Sequence, residues 1–314
     1  MCRMTKFFFV HKIGVIPAKY FSLRGAVSSP IRVFHLADLG INSADFLARI
    51  GPTFHSLPLD PYDPALAAER LVKARCPEVY HTHERNWLVH WNKLADLQYT
   101  NPLAGPQFWK QHVTDNDIQK ALSSISPYRR RGCFQYLAKP ASYAEYRWDL
   151  HEVGVPTFAQ AVADVRARPR RFAASPMSVY RDEDILSLIG VACQLVRQTA
   201  SVLATTMRVT LHQMLTYADN SAGREPAPEG THQDGSPFII SALVIERHNV
   251  TGGISRIFYA KDNGLALEYE LRPGFGILQS DTHNEYWHQV TTVYPLDPTK
   301  IAYRSILGLD IDFM

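Results

Sequence analysis

The sequence predicts an α+β protein, a double-stranded β-helix (jelly-roll) core buttressed by an N-terminal helical region. Apolar residues recur at helical spacing through residues 38–206, and short strands separated by tight turns follow over 207–314. The polar segment Pro228-Glu229-Gly230-Thr231-His232-Gln233-Asp234-Gly235 leads straight into one of those strands. No internal repeat or low-complexity linker separates the parts, so they read as one unit.

The elements follow in order. Residues 1–37 hold Arg3, Lys6, Lys12, Lys19, Arg24 and Arg32 but no acid before Asp38. That bias belongs to basic, poorly ordered tails and also to organelle transit peptides. Pro64 suits the start of a helix running through Val72. Glu183 to Ala204 sets Ile185, Leu188, Ile189, Ala192, Leu195 and Val196 on one stripe, interrupted by Gly190, as for a helix lying on the outside of a sheet. From about Val209 the period shortens. Phe238–Ile245 is a nearly continuous apolar run. Ile254–Tyr259 and Leu265–Leu271 flank Lys261-Asp262-Asn263-Gly264, whose Asn-Gly pair signals a hairpin. Strands at Gly274–Leu278, Tyr286–Val293 and Ile301–Leu309 complete a barrel whose mouth can hold a metal.

Composition narrows the class. Apolar residues make up 46% and charged residues 20% of 314 positions, as in ordinary globular chains with a substantial core. A net charge of +3, without a basic stripe interleaved with aromatics, argues against a nucleic-acid partner. No apolar run approaches the roughly 18 residues of a membrane span. Cys2, Cys76, Cys133 and Cys193 lack C-x-x-C spacing and read as reduced thiols of a cytoplasmic protein.

His232 and Asp234 lie two residues apart, so on an extended strand both point to one face about 6–7 Å apart along the chain. A third donor must come from another strand, and Trp287-His288-Gln289-Val290-Thr291 supplies His288. Two imidazoles and one carboxylate suit Fe(II) and leave positions for a bidentate keto acid and for O2. Arg304, deeper in the barrel, can hold the distal carboxylate of 2-oxoglutarate with a paired hydrogen bond. His283 competes with His288 if its loop folds inward, whereas His248 sits in a polar turn. Asp281 either orients a ligand by hydrogen bonding or accepts backbone N–H groups at a strand end.

Residues 205–313 resemble the bacterial and fungal Fe(II)/2-oxoglutarate dioxygenases that hydroxylate free amino acids, isoleucine 4-hydroxylase among them. The resemblance rests on Pro228 to Gly235, on Arg247-His248-Asn249-Val250-Thr251-Gly252-Gly253, on Asp281 ahead of Trp287 to Thr291, and on Tyr303-Arg304. Leu57 to Tyr62, Tyr128 to Phe134 and Phe158-Ala159-Gln160 extend it more weakly and assign no chemistry. Arg304 is followed by Ser305 and Ile306 rather than by the Arg-x-Ser of many dioxygenases of this broader class, which leaves the second anchor of the keto acid unassigned.

The resemblance implies His232, Asp234 and His288 as iron ligands and Arg304 as the 2-oxoglutarate ligand, with ascorbate as the reductant in vitro. It implies O2 and a free aliphatic L-amino acid of the valine, isoleucine, leucine or pipecolate type as substrates, with succinate and CO2 released. Arg224 and Glu229, near the metal motif, are candidates for the substrate's charged groups. Ile311 and Phe313 either line the pocket or cap the core. Two further outcomes compete with hydroxylation: closure of valine to an aziridine, as in fungal secondary metabolism, and a non-enzymatic, cupin-like protein that binds a metal or small molecule. The latter leaves a carboxylate and a guanidinium inside a barrel without ligands, at roughly several kcal/mol each. A hydrolytic zinc site lacks the H-E-x-x-H helix.

Overall fold

The computed structural model describes residues 12–16, 30–95, 111–114, 116–117, 129–142, 147–158, 168–200, 206–218, 223–227, 230–260, 263–282 and 286–314. Tyr128, Pro228, Glu229 and His283 lie outside the described residues.

The strands are β1 (Lys12–Ile16), β2 (Ile31–His35), β3 (Arg129–Ser142), β4 (Arg147–Gly154), β5 (Ala173–Ala174), β6 (Met207–Tyr217), β7 (Phe238–His248), β8 (Val250–Gly252), β9 (Ser255–Tyr259), β10 (Asn263–Tyr269), β11 (Phe275–Ser280), β12 (Tyr286–Val290), β13 (Val293–Pro295) and β14 (Tyr303–Phe313). The α-helices longer than four residues are α1 (Ser43–Ile50), α2 (Tyr62–Arg75), α3 (Pro77–Thr82), α4 (Glu84–Ala95) and α5 (Glu183–Ala200). A large sheet runs β1-β4-β3-β6-β14-β7-β11-β2, with β5 beside β3. Its neighbours along that path are antiparallel. A small sheet β10-β9-β12 and the pair β13-β8 complete a jelly-roll arrangement.

Each long strand divides its side chains between two faces. On β14, Leu307, Leu309 and Ile311 join the core shared with α1 and α5, whereas Ile306 joins a second cluster with Ala242, Val244, Ile257 and Ile277. α5 supplies Ile185, Leu188, Ile189 and Val196 to the first core, each side chain contributing about 1.5–3 kcal/mol when buried. Asp182 caps the helix, its Oδ1 accepting the N–H groups of Asp184 and Ile185. Gly190 does not break the helix, because it is buried facing the Trp148 ring of β4, where even a Cβ would find ordinary contact.

Sequence and structure differ at the boundaries of the parts. Ile31–His35, grouped with the basic tail, is a strand of the large sheet, hydrogen-bonded against β11. The region 38–206 contributes β3 and β4 as well as helices, because β3 carries one apolar face (Phe134, Tyr136, Ala138) beneath a polar one that composition disguises. The expected strand Tyr286–Val293 is two: β12 pairs with β9 and β13 with β8.

Candidate active site

His232 lies just before β7 and His288 within β12, and the two form an isolated antiparallel bridge. Each backbone N–H donates to the other's carbonyl at 2.9 Å, and the rings lie 4.3 Å apart. This two-residue ladder brings the motifs together. Asp234 reaches both: its carboxylate oxygens lie 3.5 Å from His232 Nε2 and 3.4 Å from His288 Nε2. One donor atom from each of the three falls within 4.8 Å of the others. Ligands on one octahedral face lie about 3 Å apart for bonds near 2.1 Å, so the triad is close to the spacing a metal requires.

Partners behind each imidazole set its orientation. His232 Nδ1 lies 2.8 Å from the Gly230 carbonyl, which can only accept, so Nδ1 carries a proton and Nε2 is the nitrogen turned toward Asp234. His288 Nδ1 lies 3.3 Å from Asp281 Oδ1. Asp281 is fully buried, and its other oxygen accepts the N–H groups of Asp234 at 2.7 Å and Gly235 at 3.0 Å. One carboxylate thus sits behind the His288 ring and holds the backbone of the loop bearing Asp234, which joins the two sequence readings of Asp281 in one residue.

The electrostatics of the three side chains are strongly coupled. Burial raises the Asp234 pKa, but His288 and His232 outweigh it and hold the carboxyl well below the ordinary range. Burial opposes charge on His288, yet Asp234 and Asp281 push its pKa up to about 10. Burial leads the rise at Asp281.

Arg304 lies on the β14 face that carries Ile306, Gly308 and Asp310 and is 3% exposed. Its Nε and Nη2 have no hydrogen-bond partner among the described residues. Burial, then Arg247, pushes its pKa down to about 9, so the guanidinium remains charged at neutral pH. Gly253 (φ 65°) passes close by; a Cβ there would come within 3.0 Å of Arg304 Cδ. An unpaired buried guanidinium beside a wall kept clear by glycine fits the distal carboxylate of 2-oxoglutarate, as the triad's two nitrogens and one oxygen fit Fe(II). Tyr303 stacks on His248 on the opposite face and takes no part.

His232 and Asp234 open into a cavity of about 120 Å³ that Arg129, Arg131, Phe158, His212, Met214 and Asp310 help to line. Arg224 is buried, its backbone paired with Val293, away from that lining. The structure places Ile311 and Phe313 against the core under α5, because on β14 they alternate with the cavity-facing residue Asp310. Arg129, Arg131 and His212 line the cavity although sequence reasoning assigned them no role, and Asp310 belongs to the terminal segment that could line the pocket.

A jelly roll presenting two histidines, one carboxylate and an unpaired arginine defines the class of non-haem iron oxygenases. The chain belongs to the 2OG-Fe dioxygenase family, whose model matches residues 107–310, and it is a 2-oxoglutarate-dependent non-haem iron dioxygenase using Fe(II), 2-oxoglutarate and O2. Among solved structures, a bsmA homologue from Methylobium petroleophilum shares the fold at 19% identity and TM-score 0.51, covering 82% of this chain and 94% of that one. IDO from Bacillus thuringiensis aligns at 15% identity and TM-score 0.45, covering 65% and 90%. The Fe(II)/α-ketoglutarate-dependent dioxygenase TqaL aligns at 14% and 0.41, covering 80% and 89%. No curated protein matches the chain. No helix among the described residues is long and apolar enough to cross a membrane.

Proposed function

We propose that the enzyme oxidises an unactivated C–H bond of a free aliphatic L-amino acid of the valine, isoleucine, leucine or pipecolate type, by hydroxylation, with release of succinate and CO2. His232, Asp234 and His288 hold the iron in this reading, and Arg304 holds 2-oxoglutarate. The observation that carries it is the small cavity reached by His232 and Asp234. At about 120 Å³ it is well below the roughly 300–1,000 Å³ of drug-sized sites and suits a molecule of amino-acid size. The motif resemblance over residues 205–313 supports the same substrate class.

When bound, iron and 2-oxoglutarate supply oxidative decarboxylation coupled to oxidation of the substrate. The chain's own residues do the rest. Gly230 and Asp281 fix the two imidazoles with Nε2 toward Asp234. Arg304 would hold the distal carboxylate of the keto acid, and the apolar walls from Phe158 and Met214 would keep water from the reacting carbon.

The test is succinate formation by iron-reconstituted protein with 2-oxoglutarate, across the common amino acids plus pipecolate, with product mass followed in parallel. Stimulation by one amino acid, lost in Asp234→Ala, is expected, with a gain of about 16 mass units. A loss of about 2 units would instead mean ring closure or desaturation. Absence of any stimulated, Asp234-dependent succinate would overturn the amino-acid reading.

A further inference from the structure

Two segments that carried no chemistry in the sequence, Asp60-Pro61-Tyr62 and Arg129-Arg130-Arg131, meet at the cavity wall. The main chains clamp each other: Asp60 N–H donates to the Arg129 carbonyl at 2.8 Å, and Arg131 N–H to the Pro58 carbonyl at 3.2 Å. Strand alternation then sorts the arginines. Arg130 turns away and donates to the Leu57 carbonyl, whereas Arg129 and Arg131 face the cavity.

Arg131 is held without a side-chain hydrogen bond to any described residue. Its guanidinium stacks 4.0 Å above the Phe172 ring, which Tyr62 meets edge-on at 5.4 Å. Its nearest carboxylate oxygen among the described residues, on Asp60, lies 3.8 Å away, within Coulombic reach but beyond a hydrogen bond. Asp60 itself is 2% exposed, accepts the Tyr62 N–H, and also lies 3.6 Å from Arg129. The other acids lining this space are committed: Asp310 to His212 at 2.9 Å, Asp234 to the triad. Stacking and a distant counter-charge orient the guanidinium while leaving its fork of donors toward the cavity, the arrangement that receives a carboxylate in bidentate fashion.

We infer that Arg131 binds the carboxylate of the substrate, with Asp60 and Phe172 as positioning residues, so that the apolar chain extends from it toward His232 and Asp234. This assignment rests on the dioxygenase reading above and specifies the head group it selects, a carboxylic acid rather than an amide or amine.

The experiment is calorimetric binding to oxygen-free protein loaded with Mn(II) and 2-oxoglutarate. The ligands are the common amino acids plus pipecolate, their carboxamides, and the corresponding acids without the amino group. The expected result is that the wild-type protein binds at least one free amino acid, and its amide at least about 30-fold more weakly. Arg131→Gln should lose the same factor for the acid and no longer distinguish acid from amide, whereas Arg130→Gln should behave as wild type. The acid–amide comparison in the wild-type protein holds even if Arg131→Gln folds poorly. Equal binding of acid and amide, discrimination that survives in a folded Arg131→Gln, or no binding by any carboxylic acid would each overturn the inference. Arg131-dependent binding of the deaminated acids alone would uphold the carboxylate subsite while removing the amino-acid reading.

Discussion

Asp281 and His288 face each other at 3.3 Å, and the same Asp281 carboxylate receives the backbone N–H groups of Asp234 and Gly235. One fully buried side chain thereby ties the strand bearing one proposed iron ligand to the loop bearing another.

Asp281→Ala should therefore act on the metal more than on the fold's distant parts. Removing a partner behind a ligand costs about 10–100-fold in metal affinity. Titration with Fe(II) or Mn(II) under anaerobic conditions reads this directly. Affinity equal to wild type would mean that the ligand ring and loop hold their places without Asp281.

Metal uptake should depend on pH with a definite sign. In the metal-free protein the raised pKa of His288, about 10, keeps its imidazole protonated at neutral pH, and ligation requires the neutral ring. Binding must release that proton, so apparent affinity should rise by about tenfold per pH unit between roughly pH 7 and 9. The same shift makes a contribution to metal-free stability that is fully present below the ordinary histidine value of 6.5 and lost as pH climbs toward about 10. The depressed Asp234 contributes stability above its ordinary value of 3.8 that is lost in acid as pH falls through its lower folded value. A pH-independent metal titration would contradict this account.

Arg304→Gln should raise the KM for 2-oxoglutarate by about 30-fold or more, since the proposed buried charge pair with the keto acid would be replaced by a neutral contact. Gly253→Ala should move in the same direction through backbone strain of about 1–2 kcal/mol and the close approach of the new methyl to Arg304 Cδ. Both are checked by 2-oxoglutarate titration of succinate release. A Gly253→Ala enzyme with wild-type stability and KM would show that this wall does not shape the keto-acid site.

Ile311→Ala should unfold more easily by about 2–5 kcal/mol, the cost of emptying a fully buried core position. Chemical denaturation measures it. Undiminished stability combined with a raised substrate KM would return Ile311 to the pocket, from which the β14 register removes it.

Legibility followed locality. His232 and Asp234 were readable because an i, i+2 pair on extended chain needs only local geometry to share a face. The short strands after about residue 206 and the hairpin joining β9 to β10 were readable for the same reason, each being written within a few consecutive residues, whereas β3 and β4 were not. Arg131 was not. Three consecutive arginines look like a solvated face until Asp60 and the partner strand β6 show which of them turn inward.

Tertiary structure alone decided three things. The bridge between His232 and His288 joins segments distant in sequence, and no local preference encodes that pairing. The antiparallel register of β14 with β6 sends Asp310 to the cavity and Ile311 to the core, an assignment that a slip of one residue would reverse. The covering of one sheet face by α5 leaves the other for the proposed iron site, because only one face could be sealed by that helix's apolar stripe. The sequence by itself determined the donor types and the class of chemistry, since these depend on side-chain identity and local spacing; folding decided which groups share a cavity, since that depends on contacts between segments.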